Sequence, residues 1–270
     1  MNRNAPLGVF DSGLGGLTVV RALREALPNE DVVYLGDTAR VPYGTKGAAT
    51  VVRYAIGCTK YLVDRGVKAV VIACNTVSAV APERLRIEFD LPVLGVIDPG
   101  ARAAVAASVT GRIGVLATTG TVASGAYARA VQQYSTRAEV FSQAAPLLVP
   151  LAEEGWTEGE VPNLIIDRYL LPLREANVDA LVLGCTHYPL LRPAIELRAR
   201  ALLGQSVNVV DSAQSAAADV ADFLRTRQMQ NERGDRGTLE LLVTDLPATF
   251  ETIATRFLGE RVSGTTQVNL

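Results

Sequence analysis

Two ten-residue stretches of this chain are near copies of each other. They are Val67-Lys68-Ala69-Val70-Val71-Ile72-Ala73-Cys74-Asn75-Thr76 and Val178-Asp179-Ala180-Leu181-Val182-Leu183-Gly184-Cys185-Thr186-His187. Each is a short run rich in Val, Ile and Leu, the composition of a strand covered on both faces. Each ends on a cysteine followed by hydrogen-bonding residues. The repeat predicts a duplicated α/β unit in which both thiols sit where a buried strand empties into a loop. The chain has 3 cysteines, so two of them occupy equivalent positions, where opposed acid/base groups can face one substrate.

The rest of the chain keeps the same rhythm. Apolar runs alternate with longer amphipathic or Ala-rich stretches, the order of strand, loop and helix in a parallel sheet. Strands are predicted at residues 7–10, 31–35, 69–73, 93–97, 113–117, 180–183, 207–210 and 239–243. Helices fit between them, among others at 17–27, 48–65, 77–88, 124–134, 161–175, 212–227 and 248–257. A second repeated pair supports the duplication: Gly8-Val9-Phe10-Asp11-Ser12-Gly13 and Gly114-Val115-Leu116-Ala117-Thr118-Thr119-Gly120 both open from a strand end into a small polar loop. The predicted fold class is α/β, with two similar parallel-sheet lobes related by pseudo-duplication and the active site between them. Pro and Gly interrupt regular structure at Ile97-Asp98-Pro99-Gly100 and near Gly204. The crossings placed there assign residues 1–97 plus 208–270 to a first lobe carrying Cys74, and 98–207 to a second carrying Cys185.

At 270 residues and 49% hydrophobic, the chain is long enough to bury a full core. A net charge of −2 without a basic run excludes the electrostatic footprint of a nucleic-acid or anionic-membrane binder. Small-molecule or protein partners are favoured. The apolar Leu7-Gly8-Val9-Phe10 is cut off by Asp11, too short for a signal-peptide core, and no run approaches the roughly 18–20 residues of a bilayer span. A cytoplasmic location is expected, where thiols stay reduced. Cys58, inside a helical segment, reads as a small buried hydrophobe.

In parallel α/β sheets, ligands bind beyond the carboxyl ends of the strands. Asp11-Ser12-Gly13, Gly36-Asp37-Thr38, Cys74-Asn75-Thr76, Thr118-Thr119-Gly120-Thr121 and Cys185-Thr186-His187 all fall at such ends. Small hydroxyl and amide side chains there suit a carboxylate, although any one of them can serve simply as a helix cap. A thiol with an ordinary pKa of about 8.5 needs only modest help to become a thiolate base. Other chemistries stay open. Cys185 and His187, two apart, form a Cys–His nucleophile pair that gives Cys74 no role. A zinc site would need Cys58, Cys74, Cys185 and His187 to converge, without the close cysteine pairs of structural zinc. Pyridoxal phosphate would need a Schiff-base lysine, for which Lys46 is the sole candidate. A non-catalytic amino-acid-binding protein remains a further reading.

Val9-Phe10-Asp11-Ser12-Gly13-Leu14-Gly15-Gly16-Leu17, Gly36-Asp37-Thr38-Ala39-Arg40-Val41-Pro42-Tyr43-Gly44, Ala73-Cys74-Asn75-Thr76 and Leu183-Gly184-Cys185-Thr186-His187-Tyr188-Pro189-Leu190-Leu191 resemble the signature segments of bacterial glutamate racemases, within the aspartate/glutamate racemase family. The likeness runs on through residues 92–97, 149–155 and Asp211-Ser212, with Val77 and Ala213 as departures. It implies a cofactor-independent, metal-free interconversion of L- and D-glutamate that feeds peptidoglycan synthesis, in a homodimer. It also implies that Cys74 takes the α-proton from D-glutamate with help from Asp11. Cys185 would take it from L-glutamate with help from Glu153 and His187. Asp11, Ser12, Tyr43, Gly44, Asn75, Thr76, Thr118, Thr121, Thr186 and His187 would hold the substrate, and a purely structural His187 stays open. Aspartate is the alternative substrate.

Overall fold

The computed structural model describes residues 2–270. Its strands are β1 (Leu7–Asp11), β2 (Val32–Gly36), β3 (Ala69–Ile72), β4 (Val93–Gly95), β5 (Arg112–Ala117), β6 (Glu139–Ala144), β7 (Ala180–Gly184), β8 (Asn208–Asp211), β9 (Leu239–Val243) and β10 (Thr266–Gln267). They form a six-stranded sheet in the order β10-β9-β2-β1-β3-β4 and a four-stranded sheet in the order β6-β5-β7-β8. Neighbouring strands run parallel. The central strands β1, β2, β3, β5 and β7 are buried almost throughout, as sheets covered by helices on both faces require.

The duplication is explicit in the strand order. The block β2-β1-β3-β4 of the first sheet repeats as β6-β5-β7-β8 in the second, and β9 and β10 extend only the first. Register fixes the equivalence residue by residue. Phe10 pairs with Ile72, and Leu116 with Leu183, so Ile72 corresponds to Leu183 and, two residues on, Cys74 to Cys185. By the same count Asp11 corresponds to Ala117 and Ser12 to Thr118.

This equivalence corrects the expected lobe boundary. Residues 208–211 pair with β7 as the counterpart of β4, so they complete the second sheet rather than the first. The chain crosses back only after Asp211, through the helix Ser212–Thr226, which packs on both the helix Leu17–Ala26 and the helix Ile97–Ala107. The Ile97-Asp98-Pro99-Gly100 break is the first turn of that last helix, where a proline lacks no needed hydrogen bond. The expected helix over 77–88 is two pieces, Asn75–Ser78 and Pro82–Glu88, divided ahead of Pro82. Strand β6 was not expected, because Glu139-Val140-Phe141-Ser142-Gln143-Ala144 is an edge strand with no residue fully buried. No helix among the described residues is long and apolar enough to cross a membrane.

Candidate active site

Cys74 lies at the carboxyl end of β3 and forms the N-cap of the helix Asn75–Ser78. The adjacent β1 ends on Asp11, whose Oδ2 accepts from the backbone N–H of Gly13 at 3.2 Å and of Gly16 at 2.9 Å. Its Oδ1 is buried without a partner. Burial raises the carboxyl above its usual range, against the pull of the His187 charge and of the loop N–H groups. The Cys74 thiol is pushed up to about 12, first by burial and then by the negative charge of Asp11, while the Ser12 hydroxyl and the Val77 N–H pull the other way. Ser12 Oγ lies 3.5 Å from the sulfur. Cys185 adds to the upward push, so the two sulfurs sense each other across the lobes.

The second thiol has different company. Cys185 follows β7, and its Sγ lies 3.8 Å from His187 Nδ1. The other ring nitrogen, Nε2, meets Glu153 Oε1 at 2.9 Å. Glu153 comes from the helix Leu148–Glu154. Burial alone would lower the His187 pKa, but the hydrogen bonds to Cys185 and Glu153 and their negative charge outweigh it and raise the imidazole to about 10. These contacts therefore favour the protonated ring. Phe257 stands edge-on to it, with centroids 5.0 Å apart. Arg256, beside Phe257 in the helix Phe250–Leu258, donates to the Glu153 carbonyl.

Hydroxyl groups join the two lobes. Thr76 Oγ1 lies 2.9 Å from Thr118 Oγ1 and 3.4 Å from Thr121 Oγ1, and the last two are 3.0 Å apart. Thr118 also caps the helix Thr119–Ser124 through the Thr121 N–H. The Gly44 carbonyl accepts from the Gly120 N–H at 2.9 Å. On the other flank Thr18 Oγ1 donates to the Thr186 carbonyl at 2.9 Å. Gly15 fits against the same segment: a Cβ there would fall 2.3 Å from Thr186 Oγ1 and 2.5 Å from His187 Nδ1. The lobes thus meet around both thiols, and Asp11, Cys74, Asn75, Thr76, Thr121, Cys185, Thr186 and His187 are all buried.

A sequence model of the family described as Asp/Glu/Hydantoin racemase matches residues 12–220. The chain belongs to the Asp/Glu/Hydantoin racemase family. Members of this family are isomerases. The chain is 49% identical over 264 residues to a glutamate racemase of Geobacter metallireducens, covering 98% of this chain and 96% of that one. It is also similar to the crystal structure of a glutamate racemase from Francisella tularensis in complex with D-glutamate, with 36% identity, a TM-score of 0.90 and coverage of 99% and 98%. A glutamate racemase from Thermus thermophilus in complex with β-chloro-D-alanine matches at 43% identity and a TM-score of 0.89, covering 100% and 99%.

In this racemase the predicted site residues come together with one qualification. Tyr43 is 1% exposed, and its hydroxyl donates to Asp37. Asp37 also takes Arg40 Nε at 2.6 Å and Thr244 Oγ1 at 2.9 Å. Thr38 is spent on the Asp245 carbonyl at 2.6 Å. The Gly36-Asp37-Thr38 cluster, expected to line the rim, thus braces the Tyr43–Gly44 loop from behind. Cys58 is buried in the helix Ala48–Asp64, beneath the same loop, and no group of three or more His, Cys, Asp or Glu among the described residues is arranged to hold a metal. Residue-by-residue reading missed Thr18, Tyr127, Ser212 and Arg256. Ser212, at the end of β8, carried the strand-end signal; Tyr127 and Arg256 lie within amphipathic helices and carried none.

Proposed function

We propose that this racemase interconverts L- and D-glutamate without a cofactor, passing the α-proton between Cys74 and Cys185. The observation that carries the reading is a symmetric pair of thiols with asymmetric partners. Register makes the two sulfurs equivalent, yet one faces a carboxylate and the other an imidazolium held by Glu153. Asp11 favours the protonated thiol at Cys74. The His187 cation places a counter-charge and an N–H donor against Cys185, suited to that sulfur as a thiolate. Racemisation from L-glutamate needs an acid on one side of the substrate Cα and a base on the other, and these partners suit Cys74 and Cys185 to those two roles. Cys185 takes the proton from L-glutamate while Cys74 delivers one to the opposite face; for D-glutamate the roles reverse. Because each direction needs one thiol protonated and the other not, the proposal predicts a bell-shaped pH profile of turnover.

A thiolate alone is insufficient, since each tenfold in rate needs about 1.4 kcal/mol of barrier reduction and an amino-acid α-proton is only weakly acidic. Ser12, Asn75, Thr76, Thr118, Thr121 and Thr186 would donate to the substrate carboxylates and stabilise the carbanion-like state. The Tyr43–Gly44 loop would close one wall. Closure of the two lobes over the substrate excludes water and strengthens each of these interactions. Supply of D-glutamate for peptidoglycan, a cytoplasmic location and a homodimer complete the reading, on the resemblance of the motifs to glutamate racemases.

Incubation with L-glutamate in D₂O tests it. Deuterium at Cα together with D-glutamate is the expected result, and bound but unexchanged glutamate would refute racemisation. Exchange of aspartate in preference to glutamate would leave the chemistry standing and overturn the substrate.

A further inference from the structure

Asn75 adjoins Cys74, and its amide is held by a chain of hydrogen bonds that crosses between the lobes. Ser212 Oγ donates to the Leu183 carbonyl at 2.8 Å. A carbonyl only accepts, so the Ser212 proton is committed there and its oxygen is left as an acceptor. Asn75 Nδ2 faces that oxygen at 3.4 Å. The Tyr127 hydroxyl donates to Asn75 Oδ1 at 2.7 Å. The one fixed acceptor at the end of the chain directs the Ser212 proton, so a turned-over amide would set its oxygen against the Ser212 oxygen, acceptor against acceptor, and would forfeit the hydrogen bond that the Tyr127 hydroxyl donates. Tyr127, Asn75 and Ser212 are each 2% exposed, which makes such a mismatch costly. Tyr127 is also closely packed against two glycines: a Cβ on Gly184, the residue before Cys185, would lie 3.0 Å from its Cε2, and one on Gly100 would lie 3.4 Å from its hydroxyl.

We infer that Tyr127, with Ser212, is a positioning residue that sets the orientation of the Asn75 amide, so that its NH₂ edge and not its oxygen serves a substrate carboxylate. One Nδ2 proton goes to Ser212 and the second stays available. A carboxylate meeting the oxygen edge instead would be repelled. The inference rests on the proposed reading in which Asn75 binds the substrate. Because a carboxylate is common to both enantiomers, the effect of losing Tyr127 falls on KM in both directions alike, whereas damage to one thiol's surroundings would separate the directions.

The test is a double-mutant cycle on Asn75→Ala and Tyr127→Phe, with kcat and KM measured for L- and D-glutamate and thermal midpoints recorded for each protein. The expected result is a KM increase of about three- to tenfold for Tyr127→Phe, the size of a single hydrogen bond to the substrate, with a smaller change in kcat. The double variant should then be no worse than Asn75→Ala alone, because Tyr127 acts through Asn75. Additive losses, or a wild-type KM in Tyr127→Phe, would overturn the inference. If Asn75→Ala itself binds both enantiomers normally, the role given to Asn75 fails first, which the single variant reports independently. Ser212→Ala serves as the second probe, since removal of the directing proton should raise KM in both directions without touching the tyrosine.

Discussion

Replacement of Gly15 by Ala tests whether the lobes must meet as they do for the enzyme to work. The added Cβ would lie 2.3 Å from Thr186 Oγ1, 2.5 Å from His187 Nδ1 and 2.6 Å from His187 Cε1. These atoms belong to the opposite lobe, and Thr186 is itself tied to Thr18 through its carbonyl. The overlap can be relieved by shifting the Thr186-His187 segment or by parting the lobes, and overpacking of this kind costs about 1–3 kcal/mol. One buried cluster runs through both lobes, from Leu7, Leu17 and Tyr34 to Leu148, Leu183 and Tyr188, so parting them also exposes core, and either route displaces the segment that carries His187. The expected result is a loss of kcat/KM of about 5- to 150-fold together with a fall of several degrees in the thermal midpoint. Racemisation followed by optical rotation, beside a thermal melt, reads both quantities. Gly57→Ala is the control: no atom lies within 4 Å of a Cβ there, and the residue is inside the helix Ala48–Asp64. It should keep full activity and gain up to about 1 kcal/mol. A Gly15→Ala enzyme with wild-type kcat/KM would refute the claim that this contact holds the working geometry.

Cys74→Ser and Cys185→Ser should each lower turnover by at least about 10²-fold in both directions, the scale of a lost general acid or base; a variant that turns over normally removes its sulfur from the proposal. His187 retains its proton to about pH 10 in the folded chain, against about 6.5 in an unfolded one. The folded chain binds more protons in that window, so the contribution is complete below pH ~6.5 and is lost as pH rises toward 10. Denaturant midpoints of wild type and His187→Gln should converge between pH 7 and 10, and parallel curves would contradict the assignment. Lys68 and Glu30 form an ion pair at 2.5 Å with side chains 0% and 2% exposed, and Lys68 also donates to the Arg3 and Met229 carbonyls at 2.7 and 2.8 Å. Lys68→Met should cost about 3–5 kcal/mol in urea unfolding by stranding Glu30 in the core. Lys68→Met with Glu30→Leu should recover part of it, and no recovery would place the loss in the carbonyl contacts instead.

The strands ending in Cys74 and Cys185 were legible because burial on both faces leaves a chain few residue types to use, and Val, Ile and Leu runs persist in both copies. The strand-end rule then located Asp11, Ser12, Thr118 and His187 without coordinates. What was hidden is of two kinds. Strand β6 is an edge, so its residues are free to be polar, and nothing in Glu139-Val140-Phe141-Ser142-Gln143-Ala144 demands a sheet. The return crossing was misplaced because residues 208–211 read equally well as the end of one unit or the start of the next; only pairing with β7 decides it. Tyr127 and Arg256 reach the site from helices whose patterns report burial but not what the polar tip meets.

Structural equivalence also locates where the two halves of the site stopped being copies. The duplicated register carries a sulfur at both β3 and β7, and a small hydroxyl at both Ser12 and Thr118. It does not carry the carboxylate: the counterpart of Asp11 is Ala117. The second thiol instead draws its proton partner from two residues further along its own strand end, His187, where the first half has Thr76. A symmetric pair of thiols with symmetric partners would hold both sulfurs in the same protonation state at rest, and one side of the substrate would then lack either a base or an acid. In the proposed mechanism, Ala for Asp at one end and His for Thr at the other separate the two sites electrically: Asp11 pushes the Cys74 thiol up, while burial-opposing contacts with Cys185 and Glu153 favour a protonated His187 beside Cys185. An enzyme whose substrate and product are mirror images thus depends on a scaffold whose two halves match in backbone and differ in charge.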